Sequence, residues 1–171
     1  MVNKTIFLLI FSTLSIYSIA QNYLYIDTRR YVSTADWNCT IKNGFPEFGN
    51  ASLSVAKNGS GGYFVVSVDT HHPLKGSVLI YLENGGVIKC LDTQIKDQHD
   101  GISTGIYNLT AAEINQLKNS RISSVRVSCL MYSTSMHSFT IYNYYHFHSY
   151  LGDDFDIPNY TEEDVTKLFN Y

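Results

Sequence analysis

The feature that most constrains the fold is a repeated alternation of apolar and polar residues. In residues 51–55 the apolar side chains occupy the odd positions and serines the even ones, while Phe64, Val66 and Val68 share one parity in the next apolar run. Successive side chains of a strand point to opposite faces of a sheet, so this pattern predicts strands with one buried face. The chain is therefore expected to fold around β-sheet.

Turn sequences connect these predicted strands in pairs. Residues 57–62 read Lys-Asn-Gly-Ser-Gly-Gly, and residues 83–86 read Glu-Asn-Gly-Gly between two further strands at 77–82 and 87–91. Asn and Gly readily adopt the positive φ values that tight reversals need. Two antiparallel hairpins are predicted.

Two short helices are predicted, at residues 110–119 and 161–169. Thr110 and Glu113 have the spacing of a capping box, in which each side chain can bond to the backbone amide of the other residue. The second helix follows Pro158 and begins with acidic residues, which the helix dipole favours at that end.

Two long strands are expected between the helices, at residues 121–132 and 136–150. In the second, the alternation places Phe139, Ile141, Tyr145 and Phe147 on one face, which we assign to the core. Together these elements predict a mainly β fold of the β-rich α+β class, with an antiparallel, sandwich-like sheet and two short helices.

Residues 1–20 have the pattern of a secretory signal peptide. Lys4 precedes an apolar stretch, and Ser18 and Ala20 are the small residues expected at positions −3 and −1 of a cleavage site. The apolar stretch is broken by polar residues and is shorter than the ~20 residues of a membrane span, and no later stretch reaches that length. We expect an exported protein whose residues 21–171 form a single β-rich domain without a membrane span.

The composition limits the possible partners. The formal net charge is −3, which argues against a strongly basic nucleic-acid binder. With 11 Gly and 3 Pro in 171 residues, the chain is not collagen-like or of low complexity.

Export changes the interpretation of the three cysteines, because an oxidising compartment permits a disulfide. Cys90 and Cys129 lie in strand-like runs that could be neighbours, so they are the preferred pair. The alternative is that Cys39, Cys90 and Cys129 are three separate buried thiols.

Part of the chain resembles small uncharacterised exported proteins of Bacteroidetes. The resemblance covers residues 76–130: a strand, an Asn-Gly-Gly turn, a second strand, the run Tyr-Asn-Leu-Thr at 107–110, and a final strand from Ile122. A Gln directly after the expected cleavage site, Gln21, is also similar to those chains. The resemblance implies a location in the bacterial envelope and supplies no catalytic residue.

Histidines are the strongest candidates for a metal site. His146 and His148 are two residues apart in a predicted strand, so they share a face at a Cα spacing of about 7 Å. His71 and His72, preceded by Asp69, lie at the end of another predicted strand and could complete a site of nitrogen and oxygen ligands. The alternative is that all four are solvent-facing residues with no common ligand.

A second candidate is an aromatic strip on the same strand. Flat rings beside hydroxyl groups are suited to stacking on a sugar or a protein partner. If the opposite face is core, the outward strip consists of Tyr142, Tyr144, His146, His148 and Tyr150. The alternative is a strand that is covered on both faces.

The sequence contains no nucleophile elbow, phosphate-binding loop, dinucleotide fingerprint or zinc-protease motif. We therefore expect a non-catalytic exported module that binds a protein, a glycan or an envelope component, without a cofactor. The alternative is a small metal-binding protein or metal-dependent hydrolase that uses the paired histidines.

Overall fold

The computed structural model describes residues 21–42, 49–131, 135–148 and 153–170. The predicted signal peptide, residues 1–20, lies outside the described residues, and so does Tyr150. His148 is described in its backbone only.

The described residues form thirteen strands and two helices. The strands are β1 (Asn22–Ile26), β2 (Arg29–Ser33), β3 (Trp37–Lys42), β4 (Ala51–Asn58), β5 (Gly61–Asp69), β6 (Val78–Leu82), β7 (Val87–Cys90), β8 (Asp92–His99), β9 (Ile102–Leu109), β10 (Ile122–Met131), β11 (Ser135–Tyr142), β12 (Tyr144–His148) and β13 (Asp154–Pro158). The helices are α1 (Ala111–Asn119) and α2 (Thr161–Asn170).

Eleven strands form one antiparallel sheet, and β12 pairs with β13 in a separate two-stranded sheet. The main order is β7-β6-β10-β11-β3-β4-β5-β9-β8, and the β1–β2 hairpin joins β4 through the pair Ser33 and Ala56. Both predicted hairpins are present, as β4–β5 and β6–β7. The prediction of a β-rich α+β fold with antiparallel strands is confirmed.

The main sheet curls until its two ends meet. β7 and β8 are at opposite ends of the strand order, yet only Leu91 separates them along the chain. One residue spans less than about 4 Å, so these two strands must lie beside each other at that end. The sheet is therefore nearly closed, like a barrel.

The concave side of this sheet holds one hydrophobic core. Alternate residues of the strands fill it, as the period of two predicts. Its fully buried members include Leu53, Val55, Phe64, Val66 and Val68.

Both predicted helices are present and contribute to the core. The capping box of α1 forms as expected: the Glu113 amide donates to the Thr110 hydroxyl, and the Thr110 amide donates to Glu113. Ile114 and Leu117 of α1 and Val165 of α2 are buried. Neither helix is long and apolar enough to cross a membrane, and this statement covers only the described residues.

The second long strand differs from its prediction, because the chain bends at Asn143. Phe139 and Ile141 precede the bend in β11 and are buried, whereas Tyr145 and Phe147 follow it in β12 and are exposed. The assignment of Tyr145 and Phe147 to the core is wrong. Beyond Asn143 the chain leaves the main sheet and pairs with β13, away from the core.

Strand order also decides the placement of the cysteines. Cys90 is on β7 and Cys129 is on β10, and β6 lies between those strands. Two strand spacings are about 9–10 Å, which exceeds the ~4.4–6.8 Å between the Cα atoms of a disulfide. The structure thus has Cys39, Cys90 and Cys129 as buried thiols and does not join Cys90 to Cys129.

Candidate binding surface

The two-stranded sheet of β12 and β13 lies beside β3 and has an alternating sequence in both strands. β13 reads Asp-Phe-Asp-Ile-Pro, so its two apolar side chains share one face. In the antiparallel register Tyr145 lies opposite Ile157, and Phe147 lies opposite Phe155. All four apolar side chains therefore occupy the same face, which we call the ribbon face.

The ribbon face is open to solvent. The exposed fractions of Tyr145, Phe147, Phe155 and Ile157 are 43%, 41%, 48% and 49%. The rings of Phe147 and Phe155 are stacked, with centroids 5.7 Å apart and planes inclined by 16°. A contiguous apolar surface of this kind is uncommon on a soluble domain unless something binds there.

Polar contacts on the other face hold the two strands together. His146 Nδ1 is hydrogen-bonded to Asp156 Oδ1 at 2.6 Å, and His146 Nε2 lies 4.0 Å from Asp154 Oδ2. The two ring nitrogens thus face carboxylates of β13 from opposite sides. This arrangement is a cross-strand ion pair when the ring is protonated.

β3 anchors the same polar face. The His146 amide donates to the Thr40 hydroxyl over 3.1 Å, and Lys42 Nζ lies 3.9 Å from Asp156 Oδ2. Lys42 Nζ also lies 4.9 Å from the centre of the Tyr144 ring, and its bond to Tyr144 raises the pKa of Lys42 above the ordinary value. These contacts hold the polar face against β3, and Tyr145 of the ribbon face borders a depression of about 390 Å³ that β3 also lines.

The described members of the predicted aromatic strip lie on the β3 side. Tyr142, Tyr144 and His146 are half-buried, and the rings of Tyr142 and Tyr144 are 5.8 Å apart. The side chain of His148 and the whole of Tyr150 lie outside the described residues. The more exposed face of β12 is the one that the alternation assigned to the core.

The structure places the predicted metal ligands in different surroundings. The His71 carbonyl accepts a hydrogen bond from Gln98, and the His71 ring lies beside Gly101 in the β8–β9 turn. His146 instead pairs with Asp156 of β13. Among the residues that the structure describes, no three His, Cys, Asp or Glu side chains form a group that could hold a metal ion.

One signal for the ribbon face was present in the sequence. Asp and apolar residues alternate through residues 154–157, which is the strand pattern that predicted β4 and β5. The pairing of this segment with β12 could not be inferred, because nothing local specifies it.

Comparisons with known proteins do not name a relative. No family model matches the chain, and no match is found among curated proteins or solved structures.

Proposed function

We propose that this protein is an exported, non-catalytic binding module of the bacterial envelope that holds a protein partner on its ribbon face. The observation that carries the proposal is the exposure of Tyr145, Phe147, Phe155 and Ile157 on one side of β12–β13. Four neighbouring apolar side chains lose unfavourable contact with water when a partner covers them.

Export is supported by the sequence of residues 1–20. A basic residue, an apolar stretch and the small residues Ser18 and Ala20 follow one another in the order of a signal peptide. The resemblance of residues 76–130 to small exported proteins of Bacteroidetes supports the same compartment.

The chemistry of the partner follows from the surroundings of the ribbon face. The aromatic pair of Phe147 and Phe155 is held in place by stacking, so little side-chain entropy is lost when it is covered. Asp154 and Asp156 alternate with the apolar residues of β13 and lie on the opposite face of that strand, where they face His146 and Lys42. The expected partner therefore has an apolar patch that covers the ring pair.

Photo-cross-linking in the bacterial host tests this proposal. A benzoylphenylalanine introduced at Phe155 of the full chain should give one specific protein adduct. Val87 is similarly exposed, at 52%, and lies on β7, so the same probe there is the matched control. Adding Phe147→Ser should remove most of the Phe155 adduct. Equal adducts at both positions, or none at Phe155, would refute the proposal.

A metal-dependent function has less support. Among the described residues, the histidines are not brought into a common group of three or more ligands.

A further inference from the structure

A row of polar side chains crosses the convex side of the main sheet, from β3 to β8. The antiparallel registers align one residue from each of five neighbouring strands, β3, β4, β5, β9 and β8. The aligned residues are Asn38, Ser52, Ser67, Thr104 and Asp97. Ser67 and Thr104 are joined by a hydrogen bond of 2.9 Å between their hydroxyls.

A parallel row gives the same surface an apolar strip. Ser54 on β4 is aligned with Val65 on β5, which is aligned with Ile106 on β9. The β1–β2 hairpin lies over this row, and the three side chains are almost covered. We call the surface formed by these two rows the floor. Its first row is polar, and its second row is mostly apolar.

Ser54 adds a hydroxyl to this floor. The residue is 7% exposed and lines the space under the β1–β2 hairpin. Because a hydroxyl can both donate and accept a hydrogen bond, it is suited to a polar ligand in that space.

Three neighbouring depressions lie above the floor, and together we call them the groove. A depression of about 310 Å³ lies between the floor and the hairpin residues Tyr23 and Tyr25. It shares Ser67 with a depression of about 250 Å³ on one side, and shares Tyr25 and Asp97 with one of about 280 Å³ on the other. Each depression is near the lower limit for a small-ligand site, so a chain of small units fits the groove better than one compact molecule.

From these observations we infer that the groove binds an oligosaccharide of neutral or amino-bearing sugars. A sugar ring has an apolar C–H face and a rim of hydroxyls. The tyrosine rings and Val65 can contact the face, while Ser54, Ser67 and Thr104 can exchange hydrogen bonds with the rim.

The negative charge of the groove limits which sugars can bind there. The carboxylates that line the groove are those of Asp27, Asp36, Asp69 and Asp97. Of the nearby cations, Lys96 is paired with Asp92 at 2.7 Å, and the Arg30 guanidinium lies 4.4 Å from the centre of the Tyr23 ring. The carboxylates can accept hydrogen bonds from sugar hydroxyls or ammonium groups, and they repel uronic acids and sulfated sugars.

An extended peptide fits this surface less well than a sugar chain. Peptides that bind to sheets usually add a strand at an unpaired edge. The floor of the groove crosses β4, β5 and β9, whose backbone groups are paired on both sides, whereas β1 in its wall pairs with a single strand, β2. Recognition on the floor must therefore use side chains, and here these are mostly hydroxyls and carboxylates.

Amide NMR titration of residues 21–171 tests the inference with defined probes. The probes are hexasaccharides of glucose, of N-acetylglucosamine and of glucosamine, with a hexagalacturonate as the acidic comparison. At least one of the first three should shift amides of β1, β4, β5 and β9, and the acidic chain should not. Thr104→Val keeps the side-chain shape and removes one hydroxyl, so it should weaken binding about tenfold.

Two further variants separate this inference from the proposed function. Asp97→Asn should weaken binding of the glucosamine chain more than that of the neutral chains, because it removes one charge. Phe155→Ser on the ribbon face should leave oligosaccharide binding unchanged. No groove shift with any of the three chains, binding that Thr104→Val does not weaken, or binding that Phe155→Ser abolishes would overturn the inference.

Discussion

Phe147 and Phe155 face each other across β12 and β13, with their rings stacked and their outer surfaces in contact with water. Two-stranded ribbons are marginally stable without a layer to pack on. Here the ring pair on one face and the His146–Asp156 bond on the other link the strands from both sides. These contacts therefore stabilise the pairing of β12 with β13 from both faces.

The first prediction concerns the energy of this ring pair. In a double-mutant cycle of Phe147→Ala and Phe155→Ala, we expect a coupling of about 0.5–1 kcal/mol, because stacked cross-strand rings stabilise each other beyond their buried area. Hydrogen exchange of the β12 amides measures it locally. Leu91→Ala removes another exposed apolar side chain and should not alter that exchange. Strictly additive effects of the two substitutions would contradict the prediction.

The sequence predicted the faces of β12 correctly but not which face is covered. The alternation placed Tyr145 and Phe147 on one face of the strand, together with Phe139 and Ile141. In the structure Tyr145 and Phe147 do share one face of β12. Burial depends on what packs against a face, and this changes at Asn143, where the chain passes from one sheet to another. The alternation of apolar and polar residues is the same before and after Asn143, so it could not show that the chain changes sheets there.

Local features were predictable because their causes lie within a few residues. The capping box of Thr110 and Glu113 and the Asn-Gly turns depend only on neighbours in the chain. The meeting of β7 with β8, the β1–β2 hairpin over the β4–β5 surface, and the distance between Cys90 and Cys129 depend on the strand order. Many orders satisfy the same alternation, so these features required the structure.

The second prediction concerns Asn143, whose buried amide holds the bend. Its Nδ2 donates to the Ile122 carbonyl at 2.7 Å and to the Asn159 carbonyl at 3.0 Å. Asn143→Ala leaves both carbonyls without this partner, so the free energy of unfolding should fall by about 2–4 kcal/mol. Urea denaturation measures it. Asn119→Ala removes an exposed bond to the Asn115 carbonyl and should cost less than about 0.5 kcal/mol. Equal losses in the two variants would contradict the role given to Asn143.

The third prediction concerns the start of α1. Thr110→Ala removes the hydroxyl that accepts from the Glu113 amide, and the expected cost is about 1 kcal/mol. Thr110→Ser retains that oxygen and should keep most of the stability. Thermal unfolding of the two variants gives the comparison. If the serine variant is as unstable as the alanine variant, packing of the methyl group, not the cap, stabilises this end.

The fourth prediction concerns stability at high pH. Burial raises the pKa of Cys39 to about 12, and burial together with the charge of Glu113 raises the pKa of Cys90 to about 12. In an unfolded chain a thiol ionises near pH ~8.5. Between these values the unfolded state has lost protons that the folded state retains, so stability should fall as the pH rises from about 9 towards 12.

The double variant Cys39→Ala with Cys90→Ala isolates the contribution of these thiols. Each thiol contributes a slope of up to about 1.4 kcal/mol per pH unit, so the variant should lose stability less steeply than the parent between pH ~9 and ~11. Burial also raises the pKa of Tyr107, which leaves a residual slope in both proteins. Urea midpoints measured at several pH values give the two slopes. Identical slopes would mean that the folded protein does not keep these thiols protonated, contrary to their burial.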